Sequence, residues 1–118
     1  MGHVTTQVTI SNPLNPEFKR TVEALVDTGA TFTVVPKSLA TELQLPVTGH
    51  RQVRTATGDI VLERARALVQ IDGASEVNPV LISETLDRVL VGVITLETLS
   101  LAVDPTTGEL TEAEALLF

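Results

Sequence analysis

Apolar and polar residues alternate with a period of two along much of this chain. Val4, Thr6, Val8 and Ile10 fall on one side of an extended segment, and Thr5, Gln7 and Thr9 fall on the other. That is the pattern of a strand with one buried face. Ser11-Asn12-Pro13-Leu14-Asn15-Pro16 is dense in turn formers, and the alternation resumes from Phe18 to Val26. Thr31 to Val35 is β-branched and aromatic, which predicts a third strand. Pro36 then opens a short helix with Leu39 and Leu43 four residues apart on its buried face. Val47 to Thr57 and Ile60 to Ile71 read as the arms of a long hairpin with Thr57-Gly58-Asp59 at its tip, and Asp72-Gly73 makes the next turn.

Asn78-Pro79 precedes Val80-Leu81-Ile82, and the proline predicts an edge strand or loop wall, because it has no N–H to give a central ladder. Val89-Leu90-Val91 is a fully apolar run ending at Gly92, followed by helical spacing through Leu96 and Leu99. Leu101 to Val103 and the turn Asp104 to Gly108 lead into a last strand or tail, and Ala113 to Phe118 fits helix and strand equally. Short strands punctuated by turns, without a repeat or a linker, predict an all-β barrel or sandwich with one or two short helices. The 118 residues are expected to form one domain, 1–118.

Composition narrows the function more than the fold. With no cysteine, disulfides and thiolate metal sites are excluded. Fifteen acidic against eight basic residues give a net charge of -7 and no basic stripe, so no nucleic-acid partner is expected. Thr95 and Glu97 break the longest apolar stretch, Val89 to Val103, short of the ~18 residues of a spanning helix. The N-terminus has no basic flank and no apolar h-region, so neither a signal peptide nor a membrane partner is expected and a cytoplasmic setting follows. Gly2 and Thr6 fit the loose myristoylation pattern, but no polybasic segment follows and the match is read as coincidence. His3 and His50 lack ligand spacing to any other histidine or carboxylate pair.

Chemistry concentrates between Ala24 and Val35. Asp27 stands between an apolar strand and a glycine, where burial and backbone amides tune a carboxylate, and Gly29 lets the chain reverse sharply. Taken alone, Asp27-Thr28-Gly29 is ordinary turn chemistry. Its context adds apolar flanks, a hairpin tipped by Gly58, and Leu90-Val91-Gly92 before a helical segment. In that order the features resemble the retroviral-type (retropepsin-like) aspartic proteases, from Val4 to Leu110. The resemblance implies a closed retropepsin-like β-barrel, the single-lobe acid protease fold.

It also implies a mechanism. Two carboxylates share one proton, because like charges ~3 Å apart cannot both ionise. Asp59, Asp72, Asp87 and Asp104 lack the Thr/Ser-Gly sequel, so the implied enzyme is a homodimer with Asp27 contributed twice about a two-fold axis. One Asp27 acts as general base on a water and its protonated partner donates to the carbonyl of an extended peptide substrate. No metal and no cofactor is required. By the same resemblance Thr28 hydrogen-bonds across the axis, Gly29 presents its N–H near the carboxylates, and Ala30 flanks the substrate backbone. Leu90, Val91 and Gly92 support the loop from beneath. Ala56, Thr57, Gly58, Asp59 and Ile60 form the flap, while Phe32, Leu81 and Ile82 make apolar substrate pockets.

The chain departs from the family in two places. Its flap has one glycine, where retroviral flaps have several. Thr31, Phe32 and Val93 occupy the positions of an acid–arginine pairing near the retroviral dimer interface, so both signs of that pairing are gone. Four of its eight basic residues, Arg51, Arg54, Arg64 and Arg66, lie in the hairpin, where solvated strand faces or a taste for acidic substrates would explain them. Glu109, Glu112 and Glu114 cluster near the end and are expected to repel across a dimer, so that acid or salt tightens it. Two other readings stay open: the same fold kept as a dimerisation or peptide-binding module without turnover, and an unrelated monomeric barrel with Asp27 on its surface.

Overall fold

Residues 4–113 are described in the computed structural model, so Gly2, His3, Glu114 and the remainder of the terminal stretch lie outside the described residues. Nine strands and two short helices follow one another among the described residues. They are β1 (Val4–Asn12), β2 (Asn15–Val26), β3 (Thr33–Pro36), α1 (Lys37–Glu42), β4 (Val47–Thr55), β5 (Gly58–Ile71), β6 (Ala74–Ser83), β7 (Val89–Val91), α2 (Val93–Thr98), β8 (Leu101–Val103) and β9 (Leu110–Glu112).

Seven strands join in the order β1-β2-β7-β3-β6-β5-β4, and β1 pairs again with β5 through Thr9, Ile10 and Ser11. The pairing thus returns to its start around six strands, with β4 attached outside the ring. Its thinnest joint is the single Val34–Leu90 bridge between β3 and β7. Strands β8 and β9 form a separate ribbon.

Period-two alternation explains which side chains fill the barrel. Val8 and Ile10 from β1, Ala24 and Val26 from β2, Ala65, Ala67, Val69 and Ile71 from β5, and Val89 and Val91 from β7 are buried in one aliphatic cluster. Full burial of Ile10 or Ile71 stabilises the fold by roughly 1.5–3 kcal/mol each. Leu39 and Leu43 bring α1 against the same cluster, and Leu96 and Leu99 bring α2.

Three local expectations shift. Asn12, read as a turn residue, ends β1 and is buried; its Nδ2 donates to the carbonyls of Leu43 (3.1 Å) and Gln44 (2.7 Å). Those carbonyls lie just past α1, where helix geometry leaves acceptors without intrahelical donors. The hairpin tip is Ala56-Thr57, with Gly58 already in β5 at φ 128°. Thr55 closes it, its Oγ1 donating to the Gly58 carbonyl at 2.6 Å and accepting from the Thr57 amide at 3.3 Å. Finally, β6 is an edge only as far as Pro79: from Val80 to Ser83 it is central, lying between β5 and β3. Proline is accommodated because the ladder with β3 begins at Val80, so β6 is paired at Pro79 on the β5 side alone.

An exposed ion pair, Lys37 Nζ to Glu63 Oε1 at 2.7 Å, ties the start of α1 to β5. Its hydrogen bond and then its Coulomb attraction hold the Glu63 carboxyl below, and the Lys37 ammonium above, their ordinary values.

Candidate active site

The parallel ladder of β2 and β7 pairs Ala24 with Val89, Leu25 with Leu90 and Val26 with Val91. It extends one step further, because the Asp27 N–H donates to the Val91 carbonyl at 2.9 Å. Asp27 therefore leaves the sheet with its backbone still anchored. The Ala30 amide then donates to the Asp27 carbonyl (3.1 Å), which closes a tight turn. Gly29 N–H donates to Asp27 Oδ1 at 2.9 Å, the one hydrogen bond this carboxylate receives among the described residues. A Cβ at Gly29 would stand 3.2 Å from that same oxygen, so a side chain there would crowd the carboxylate. Asp27 and Ala30 are partly exposed; Thr28 and Gly29 are open to solvent.

The loop is clasped from behind by α2. The first amides of a helix have no intrahelical acceptor, and here Val93 N–H donates to the Ala30 carbonyl (2.8 Å) and Ile94 N–H to the Thr31 carbonyl (3.0 Å). This backbone clasp lies where the retroviral resemblance would supply an ion pair. Gly92 makes the approach possible. A Cβ built on it would lie 2.5 Å from both the carbonyl carbon and oxygen of Phe32 and 2.9 Å from the Ala30 oxygen.

Beneath the loop, the Gly92 amide donates to Thr33 Oγ1 (3.1 Å), and that hydroxyl shares a 2.5 Å hydrogen bond with Thr95 Oγ1. Both threonines are fully buried. Thr33→Val is expected to cost about 1–3 kcal/mol, because it strips two buried groups of their partner. Chemical denaturation measures it. The Thr33→Val/Thr95→Val double variant should lose less than the sum of the singles, since both act through one bond.

Opposite the loop, the hairpin forms the far wall of a cleft of about 250 Å³ lined by Gly29, Ala30, Thr31, Phe32, Val34, Val53, Arg54 and Leu81. Phe32 and Leu81 thus join the loop residues at one surface. Ile82, expected beside Leu81, does not line this cleft; successive strand residues face opposite ways, and Ile82 joins the barrel core. Ala56, Thr57, Gly58, Asp59 and Ile60 are exposed at the hairpin's end, and the hairpin residues that reach the cleft are Val53 and Arg54. Val91 and Gly92 lie beneath the loop, whereas Leu90, between buried Val89 and Val91, is half-buried on the opposite face of β7.

Sequence reasoning did not single out Thr33, Thr95, Val34 or Val53 for the site. A threonine in a β-branched run looks like any strand residue, and its hydrogen-bond partner is known only once α2 is placed.

A profile of the family described as Aspartyl protease matches residues 6–94, which span β1 through the start of α2. The chain belongs to that family. No curated protein sequence matches it. Among solved structures, EIAV protease complexed with the inhibitor HBY-793 is similar over 98% of this chain and 94% of that one, with a TM-score of 0.69 and 16% sequence identity. At that identity the likeness speaks for the fold, and it makes this aspartyl protease domain a member of the retroviral protease architecture.

Proposed function

We propose that the chain is a homodimeric aspartic endopeptidase. The observation that carries the reading is Asp27, held at the end of the β2–β7 ladder with Gly29 N–H on its Oδ1, beside a cleft walled by the same loop and a hairpin. A carboxylate so placed has the geometry of a general base with access to water. One such carboxylate is not enough for the chemistry. The remaining aspartates of the described chain stand elsewhere: Asp59 on the hairpin, Asp72 in the β5–β6 turn, Asp87 between β6 and β7, Asp104 after β8. A second Asp27, brought by a two-fold related copy, supplies the missing acid.

In that pair the ionised Asp27 takes a proton from the attacking water, and the protonated one donates to the carbonyl oxygen of the scissile bond. Thr28 is exposed, and in the proposed dimer it hydrogen-bonds its counterpart across the axis. Phe32, Val34, Val53 and Leu81 give the cleft an apolar lining, which favours hydrophobic side chains around the cut. The substrate is an extended peptide, bound along the hairpin by strand addition and covered when the hairpin closes.

Mass-spectrometric mapping of peptide-library cleavage across the acid range tests this. Cutting between apolar residues is the expected result, and no cutting by a dimeric protein would overturn it in favour of a binding module. Sedimentation equilibrium is expected to show a dimer that tightens with added salt, which screens exposed Glu109 and Glu112. A chain that stays monomeric at all concentrations would remove the two-fold dyad.

A further inference from the structure

The hairpin carries charge of the opposite sign to the molecule as a whole. On a chain of net charge -7, Arg51 and Arg54 lie on β4 and Arg64 and Arg66 on β5. One of them lines the cleft and a second packs on a residue that lines it. Arg54 is the one charged residue among those lining it, and its only anionic neighbour among the described residues is Asp59, 3.6 Å away, with the arginine side chain 89% exposed. Arg51 stands over the ring of cleft-lining Phe32, its guanidinium carbon 4.8 Å from the ring centroid. A cation stacked on an aromatic face keeps its N–H groups at the ring's edge for another acceptor, and Arg51 makes no ion pair among the described residues.

We infer that Arg54 and Arg51 form an acid-reading lip on the substrate cleft, so that the preferred peptide has an aspartate or glutamate flanking its apolar cleavage site. The inference rests on the endopeptidase reading and adds its substrate class. The apolar wall receives the side chains at the cut, and the lip receives a carboxylate further along the extended peptide, where neighbouring side chains point to alternate faces. Arg54 reaches that carboxylate by exchanging its long contact with Asp59 for a shorter, charge-assisted one. Arg51 holds Phe32 in place while offering its own donors. Under the two-fold, each end of the cleft would carry one such lip.

The test uses matched peptides that differ by Glu or Gln at each flanking position, assayed above the ordinary carboxyl range of ~4.3. At one or more positions the wild-type protein is expected to cleave the Glu peptide about fivefold faster by kcat/KM, the size of one exposed charge contact. Arg54→Ala should bring that ratio close to one, and added salt should shrink it. Arg66→Ala, away from the cleft, should leave the ratio as it is. Equal cleavage of all Glu and Gln peptides would overturn the lip and leave the endopeptidase standing. Binding of fluorescent Glu and Gln peptides to Asp27→Asn, read by anisotropy, gives the same ratio without turnover. A Glu preference lost with Arg54 there supports the lip even where wild-type cleavage fails, and equal binding overturns it.

Discussion

Asp27→Asn is expected to remove peptide cleavage while leaving the fold and the dimer in place. Asparagine has the volume of aspartate, and its side-chain oxygen can still accept the Gly29 amide that Oδ1 accepts at 2.9 Å. The Asp27 backbone bond to Val91 is untouched. What disappears is the proton chemistry, since an amide neither takes a proton from water nor gives one to a carbonyl. A positioned acid–base group contributes on the order of 10²–10⁴-fold, and because the proposed dimer would hold two copies of the residue, both roles would be lost together. The assay is single-substrate turnover of the best library peptide, with light scattering and a thermal melt run on the same samples. Turnover within tenfold of wild type would show that Asp27 is not the catalytic group.

The largest structural effect is expected at Gly92. In Gly92→Ala the new Cβ would meet the Phe32 carbonyl carbon and oxygen at 2.5 Å. These are backbone atoms, so no side-chain rotation relieves the clash. Either the Asp27 loop moves away from α2 or α2 moves away from the loop, and both routes strain the bonds from Val93 to Ala30 and from Ile94 to Thr31. Forced overpacking of this kind costs typically 1–3 kcal/mol and occasionally more, and with the loop bonds added a loss of about 3 kcal/mol is expected. For a domain of this size that lowers the melting temperature on the order of 10 °C.

Gly29→Ala is the informative contrast, since its Cβ would meet only a side-chain oxygen at 3.2 Å. It should melt closer to the wild type yet lose activity, because the atom it crowds is Asp27 Oδ1. If Gly92→Ala melted within a degree or two of the wild type, the loop would be far more yielding than its hydrogen bonds imply.

The strands that face the barrel were readable because period two is a local property. Val8 and Ile10, or Val89 and Val91, alternate with outward residues whatever they pair with, and their burial needs no knowledge of the partner strand. The same holds for Asp27-Thr28-Gly29, whose three residues are contiguous and whose apolar flanks are visible in the chain. Pro79 marks the limit of such reading: its missing N–H argues against a central strand, but one strand can be an edge as far as Pro79, paired with β5 alone, and central from Val80 to Ser83, where β3 joins it.

By itself, then, the sequence determined the class of fold, the order of its elements and the Asp27-Thr28-Gly29 segment that carries the candidate carboxylate, because each is carried by near neighbours in the chain. Tertiary structure alone decided how that carboxylate is held. Gly92 meets Phe32, Thr33 meets Thr95, and Arg51 meets Phe32 across long separations in sequence. It also decided which of Leu81 and Ile82 reaches the cleft, since a one-residue change of register exchanges the two faces of a strand. Only the pairing of β6 with β3 and β5 sets that register.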